Sequence, residues 1–139
     1  MKIIFQTKKF NVGELLESFT SKNNDSGSVI SFLGKVRPSR KKKKIKSMDI
    51  EIYEEMALYQ TKLAINSLLK KFKIHDYLIT HRYGNLKPGE NIIFIIVASE
   101  HRKEGFNFIQ ETLLYFKKKI TFWKKENYLQ NSKWLDSQN

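Results

Sequence analysis

The sequence predicts an α+β fold, helices packed on a mostly antiparallel sheet, and three observations carry that prediction. Stretches with a period of two, Met48 to Tyr53 and Tyr77 to Tyr83, alternate with stretches at helical spacing. Ile92 to Ala98 is an unbroken apolar run, as expected of a strand buried on both faces. Phe106, Ile109, Leu113, Phe116 and Ile120 then recur at intervals of three and four, which is a long helix.

Taken in order, Ile3 to Phe5 is a short first strand, followed by Asn11 as a helix N-cap with Glu14 three residues on. Val12, Leu15, Leu16 and Phe19 give that helix an apolar face, and it ends near Ser21 before the polar loop 22–27. Ser28 to Leu33 is a strand stopped by Gly34. Residues 35–46, eight of them basic, are predicted to be a mobile, solvated loop around Pro38. Met48, Ile50 and Ile52 alternate with polar neighbours as a half-buried strand. Glu54 to Phe72 is a helix whose Met56, Tyr59, Leu63, Leu68 and Phe72 line one side, and Met56 is expected in the core. Tyr77, Ile79, His81 and Tyr83 form a further strand, residues 84–89 a turn, and Phe122–Trp123 a β-prone exit from the last helix. Residues 127–139 are a polar tail with Trp134 and Leu135 as anchors. The predicted order is β-α-β-β-α-β-β-α, without repeat or linker, in one domain spanning 1–139.

The chain has 139 residues, enough for one real core without staples, and its 40% hydrophobic content argues against disorder. Cysteine is absent, which excludes disulfides, a thiolate nucleophile and Cys-ligated metal. His75, His81 and His101 are too scattered to make a zinc site, so no metal is expected. A net charge of +12 favours an anionic partner without choosing one. No apolar run is long enough to span a membrane and no secretory leader opens the chain, so a cytoplasmic location is expected.

Basic residues gather at four places. Lys35-Val36-Arg37 follows Gly34, which permits a sharp turn or a close approach, though on spacing alone a solvated strand end is the favoured reading. His101 and Arg102 open the last helix, where free N–H groups and a guanidinium together suit a phosphate; an ion pair with Glu100 or Glu104 is the competing reading. Lys117 borders that helix's buried face, and a lysine partly desolvated beside other cations becomes a usable base or nucleophile. Lys124, Lys125 and Glu126 follow an aromatic pair able to wall a pocket. Lys-rich helix ends are otherwise ordinary solvated faces. Lys41 to Lys44 suit loose polyanion contact or nothing at all.

Five blocks now carry a resemblance: Ser31-Phe32-Leu33-Gly34-Lys35-Val36-Arg37, Tyr53-Glu54-Glu55-Met56-Ala57, His81 to Glu90, Ser99-Glu100-His101-Arg102, and Phe122-Trp123-Lys124-Lys125-Glu126. In this order and spacing the chain, from about Gly27 to Trp134, resembles the catalytic (large) subunit of molybdopterin synthase. The resemblance implies an α/β-hammerhead fold and a sulfurtransferase of molybdenum cofactor biosynthesis. A small ubiquitin-like carrier subunit would insert its Gly-Gly thiocarboxylate and deliver two sulfurs to cyclic pyranopterin monophosphate, forming the dithiolene. The implied assembly is a homodimer of large subunits within a heterotetramer. No permanently bound cofactor is implied, because sulfur arrives on the partner. The matched substrate-binding positions are Lys35, Val36, Arg37, His101, Arg102, Lys117, Lys124, Lys125 and Glu126, with Lys117 and Lys124 catalytic. Lys117 would act as base or as transient acyl acceptor.

The chain departs from the family pattern in three places. Pro38-Ser39-Arg40 and four lysines replace a Gly-bearing loop, Ile120-Thr121 replaces Ala-Pro, and no Arg follows Trp134. Two other readings stand beside the enzyme: a small basic RNA-binding module, and an idle scaffold that docks a ubiquitin-like partner. Against RNA, the chain lacks an RNP-type aromatic strand, a Gly-X-X-Gly loop and a regular basic helix face.

Overall fold

A computed structural model describes residues 1–129 throughout and residues 132–135 in their backbone pairing. The elements are β1 (Lys2–Gln6), α1 (Val12–Ser21), β2 (Ser28–Lys35), β3 (Ser39–Arg40), β4 (Lys43–Glu51), α2 (Glu54–Lys71), β5 (Asp76–Arg82), β6 (Gly84–Leu86), β7 (Asn91–Ser99), α3 (Arg102–Lys118), β8 (Trp123–Tyr128) and β9 (Ser132–Leu135). Asn11 caps α1 as predicted, its side chain accepting from the Glu14 N–H at 3.0 Å.

The strands divide into two sheets. The first has order β1-β5-β7-β2, antiparallel except for the parallel pair β1–β5. β7 runs through its middle with both faces covered. Phe94, Ile96 and Ala98 pack toward α1 and its Phe19, while Ile93, Ile95 and Val97 join the larger core under α2 and α3. That double burial is why the run carries no polar residue from Ile92 to Ala98. The second sheet has order β3-β4-β8-β9, with β6 also paired to β4, and encloses a small core of Val36, Met48, Ile50 and Leu86.

Several expectations are corrected. Residues 35–46 form no free loop: β3 and β4 make a hairpin, Ser39 against Lys44 and Arg40 against Lys43. Buried Ile45 and the hydrogen bond from its N–H to the Pro38 carbonyl (2.9 Å) fix it. Of the side of α2 expected to be buried, Met56, Tyr59 and Leu63 are exposed, so Met56 is not core, while Leu68 is buried and Phe72 packs against the core. The buried stripe is Ala57, Thr61, Ala64, Ile65 and Leu68, whose small side chains allow close packing; the Thr61 hydroxyl donates to the Ala57 carbonyl. Phe106 is likewise exposed and Phe108 fully buried. The turn 84–89 contains β6, and Asn127 and Tyr128 extend β8 rather than starting a tail. The anchoring role of the Trp134 and Leu135 side chains lies outside the described residues.

Candidate functional site

Gly34 is where the first segment takes its shape. A Cβ there would stand 2.8 Å from Ile93 Cγ2 on the paired strand, and a bulge follows between Gly34 and Lys35. The next residue, Val36, is pinned: its N–H donates to the Glu90 carbonyl (2.9 Å) and its carbonyl accepts from the Gly89 N–H (2.8 Å). With its side chain 1% exposed, Val36 is an anchor that leaves Lys35 and Arg37 projecting outward on either side.

On β8, residues alternate between the two faces of the sheet, so Lys124 and Glu126 share one face and Lys125 lies on the other, opposite Asp49. Lys124 is half-buried, its ammonium 6.0 Å from the Phe122 ring centre. Burial pushes its pKa below the usual lysine range, and the charge of Arg37 pushes the same way. Phe122 in turn stacks on His81, ring centres 4.6 Å apart and nearly parallel, and Phe5 and Phe116 complete an aromatic box. His81 Nδ1 lies 2.7 Å from the Arg82 carbonyl, which a neutral imidazole satisfies by donating. Burial, assisted by the Lys124 charge, lowers its pKa to about 3, so it is neutral beneath the lysine at any working pH. The alternation of Tyr77, Ile79, His81 and Tyr83 put His81 on a strand, but nothing in the sequence marked it as the floor under Lys124.

The neutral His81 has a measurable cost. The unfolded chain binds a proton near pH 6.5 that the folded chain refuses until about pH 3, so stability is lost as pH falls through that window. Acid titration of unfolding in His81→Phe is expected to show a lower acid midpoint than wild type. An unchanged midpoint would assign acid sensitivity elsewhere.

Glu126 is fully buried, its Oε1 accepting from Arg40 at 3.2 Å and from the Tyr128 hydroxyl at 3.3 Å. It fastens the β3–β4 hairpin to β8 and does not face a ligand-accessible space. The predicted partly desolvated position of Lys117 is also corrected: it lies exposed in the last turn of α3. The Phe116–Phe122 ring contact at 5.7 Å folds β8 back beside that turn, bringing the Lys117 end of α3 toward Lys124.

His101 and Arg102 stand apart from these lysines. His101 is the exposed N-cap residue of α3, 4.0 Å from Glu100, and Arg102 is its exposed first residue. Fifteen residue steps of helix separate Arg102 from Lys117, about 22 Å at 1.5 Å per residue. One chain therefore brings together Arg37, Lys124 and the Lys117 end of α3, and leaves His101 and Arg102 at the far end. Among the described residues no group of His, Asp and Glu is placed to hold a metal ion, and no helix is long and apolar enough to cross a membrane.

A family model described as MoaE protein matches residues 5–119. The molybdopterin synthase catalytic subunit of Pyrococcus abyssi is 32% identical over 136 residues, covering 98% of this chain and 90% of the relative. The crystal structure of molybdopterin synthase from Staphylococcus aureus superposes with a TM-score of 0.85 at 25% identity, covering 95% of each chain. In fold alone, at 16% identity and a TM-score of 0.78, the chain also matches a complex of subunits 1 and 2 of molybdopterin-converting factor from Helicobacter pylori, over 95% of this chain and 88% of that one. On the extent of these matches, the chain belongs to the MoaE family of molybdopterin synthase catalytic subunits.

Proposed function

We propose that this chain is the sulfur-transferring subunit that converts cyclic pyranopterin monophosphate to the molybdopterin dithiolene, taking sulfur from the carboxyl-terminal thiocarboxylate of a ubiquitin-like carrier. The observation that carries the reading is Lys124: a half-buried lysine beside a second cation, Arg37, on a floor of Phe122 and neutral His81. Such a lysine gives up its proton more readily than a free one, which acyl-sulfur transfer needs, and Arg37 supplies fixed charge for an anionic group. Lys117, exposed at the adjoining helix end, is free to meet the carrier's terminal carbonyl as base or as acyl acceptor. Lys35 and Lys125 add cationic flanks, while Val36 and Glu126 act by holding the backbone. The sulfur comes on the carrier, so no resident cofactor is required, and the cytoplasm, where such a carrier is made, is the proposed location.

His101 and Arg102 suit the substrate phosphate but lie a helix length away. Pairing two copies as a homodimer offers the remedy, the α3 start of one copy completing the lysine pocket of the other. The test is dithiolene formation from thiocarboxylated carrier and cyclic pterin phosphate. Wild type is expected to form product, and Lys117→Ala and Arg102→Ala each to form little at limiting substrate. Dimers exchanged between the two variants are expected to regain about a quarter of wild-type activity, one intact site in each mixed dimer. No product from wild type with bound carrier would overturn the function; no recovery on mixing would overturn the shared site.

A further inference from the structure

We propose that the β3–β4 hairpin is a docking arm for an acidic face of the sulfur carrier, seating that protein so that its carboxyl-terminal tail reaches Lys124. The inference rests on the function proposed above and adds a surface which that function does not require.

Lys41, Lys42, Lys43, Lys44 and Lys46 are all exposed, and among the described residues none lies within ion-pairing distance of a carboxylate. The hairpin that carries these charges is tied down. Arg40 is tied to buried Glu126 at 3.2 Å, Ile45 is buried, and the Lys43 ammonium sits 6.0 Å from the Tyr128 ring centre. Lys46 is the extra residue of a bulge between Ile45 and Ser47, so that Ile45 and Met48 both turn inward while Lys46 stays out. At the tip, Lys41 and Lys42 have φ of 48° and 66°, the left-handed pair of a turn that Asn-Gly fits best. Lysine at both positions is sterically disfavoured, and residues kept in such conformations gather where a surface is used.

Position selects the partner. Pro38 alone separates Arg37 from β3, and on β8 the partner of Ile45 is Tyr128, four residues from Lys124, or about 13 Å along the strand. A protein seated on the hairpin thus needs only about four extended residues to bring its last carboxyl group to Lys124. A nucleic acid is less well served. The Tyr128 ring beside the hairpin is half-buried, its hydroxyl is held by Glu126 and the Lys43 ammonium stands 6.0 Å over the ring, so it makes a poor platform for base stacking.

Exposed charges at an interface rim act mainly on the association rate and its salt dependence. The experiment measures association of the carrier at about 0.05 M and about 0.3 M salt, where screening lengths differ more than twofold. It compares wild type with Lys41→Asn/Lys42→Gly/Lys44→Gln/Lys46→Gln. The first two changes relieve the strained turn, so thermal stability is expected to hold or rise. Association is expected to slow about tenfold at low salt and to converge with wild type at high salt. Product formation at saturating carrier is expected to match wild type, which separates this proposal from the catalytic one: wild type without product sinks the function, whereas equal association rates for both proteins sink the docking arm. Slower association accompanied by a lower melting temperature would mark the hairpin as merely structural. Loss of RNA retention with an unchanged carrier rate would assign the lysines to nucleic acid instead.

Discussion

Lys124→Ala is expected to lower sulfur transfer by about 10²- to 10⁴-fold, the usual worth of a positioned proton-transfer group. Folding should be little affected, because the change removes a half-buried cation that Arg37 already opposes. The pH dependence gives the sharper signature. With its pKa lowered by burial first and Arg37 second, Lys124 deprotonates below the ordinary lysine range, so activity should rise with pH through that lowered value. Arg37→Met removes the second cause and should move the rising limb to higher pH, closer to that of a free lysine. The same shift touches stability. Between the folded and unfolded pKa values the unfolded chain holds more protons, so the burden of the buried charge is relieved as pH rises through the folded value. A limb that stays in place in Arg37→Met would mean that Lys124 is not the titrating group.

The second large effect concerns stability. Arg40→Ala is expected to cost about 3–5 kcal/mol in denaturant unfolding, because it strands the Glu126 carboxylate inside the second sheet. Tyr128 would still donate to Oε1, and among the described residues Oε2 has no hydrogen-bond partner even in the intact protein. Replacing both residues, Arg40→Leu with Glu126→Leu, should recover most of the loss, since no charge is then buried alone. If Arg40→Ala unfolds within about 1 kcal/mol of wild type, the pair contributes no more than a surface ion pair would.

Period and composition made much of the fold legible. β7 and α3 follow from long regular patterns, and the Asn11 cap sits where Asn and Glu14 mark it. Failures came where patterns compete. On α2, Met56, Tyr59 and Leu63 outweigh Ala57, Thr61 and Ala64 in hydrophobicity, yet the smaller residues win because they let the helix sit close to the sheet. The hairpin was hidden by its lysines: one apolar residue, Ile45, and a buried partner 86 positions away from Arg40 hold it in place. The site was half legible. Motif spacing pointed to Lys117 and Lys124, but their different burial depends on a strand folding back on a helix end. His81 beneath Phe122 is a contact between distant segments that spacing alone does not reveal.

The division into two sheets has a consequence for how the molecule opens. β7 hydrogen-bonds to strands on both sides and is packed above and below, so its amides exchange with solvent only when the whole molecule unfolds. β8 belongs to the other sheet, and its main tie to the larger core is the aromatic box. Partial opening there uncovers Lys124 and leaves the central strands intact. The half of the molecule proposed to handle the reaction can fluctuate on its own free-energy scale, and amide exchange would resolve it as a separate cooperative unit.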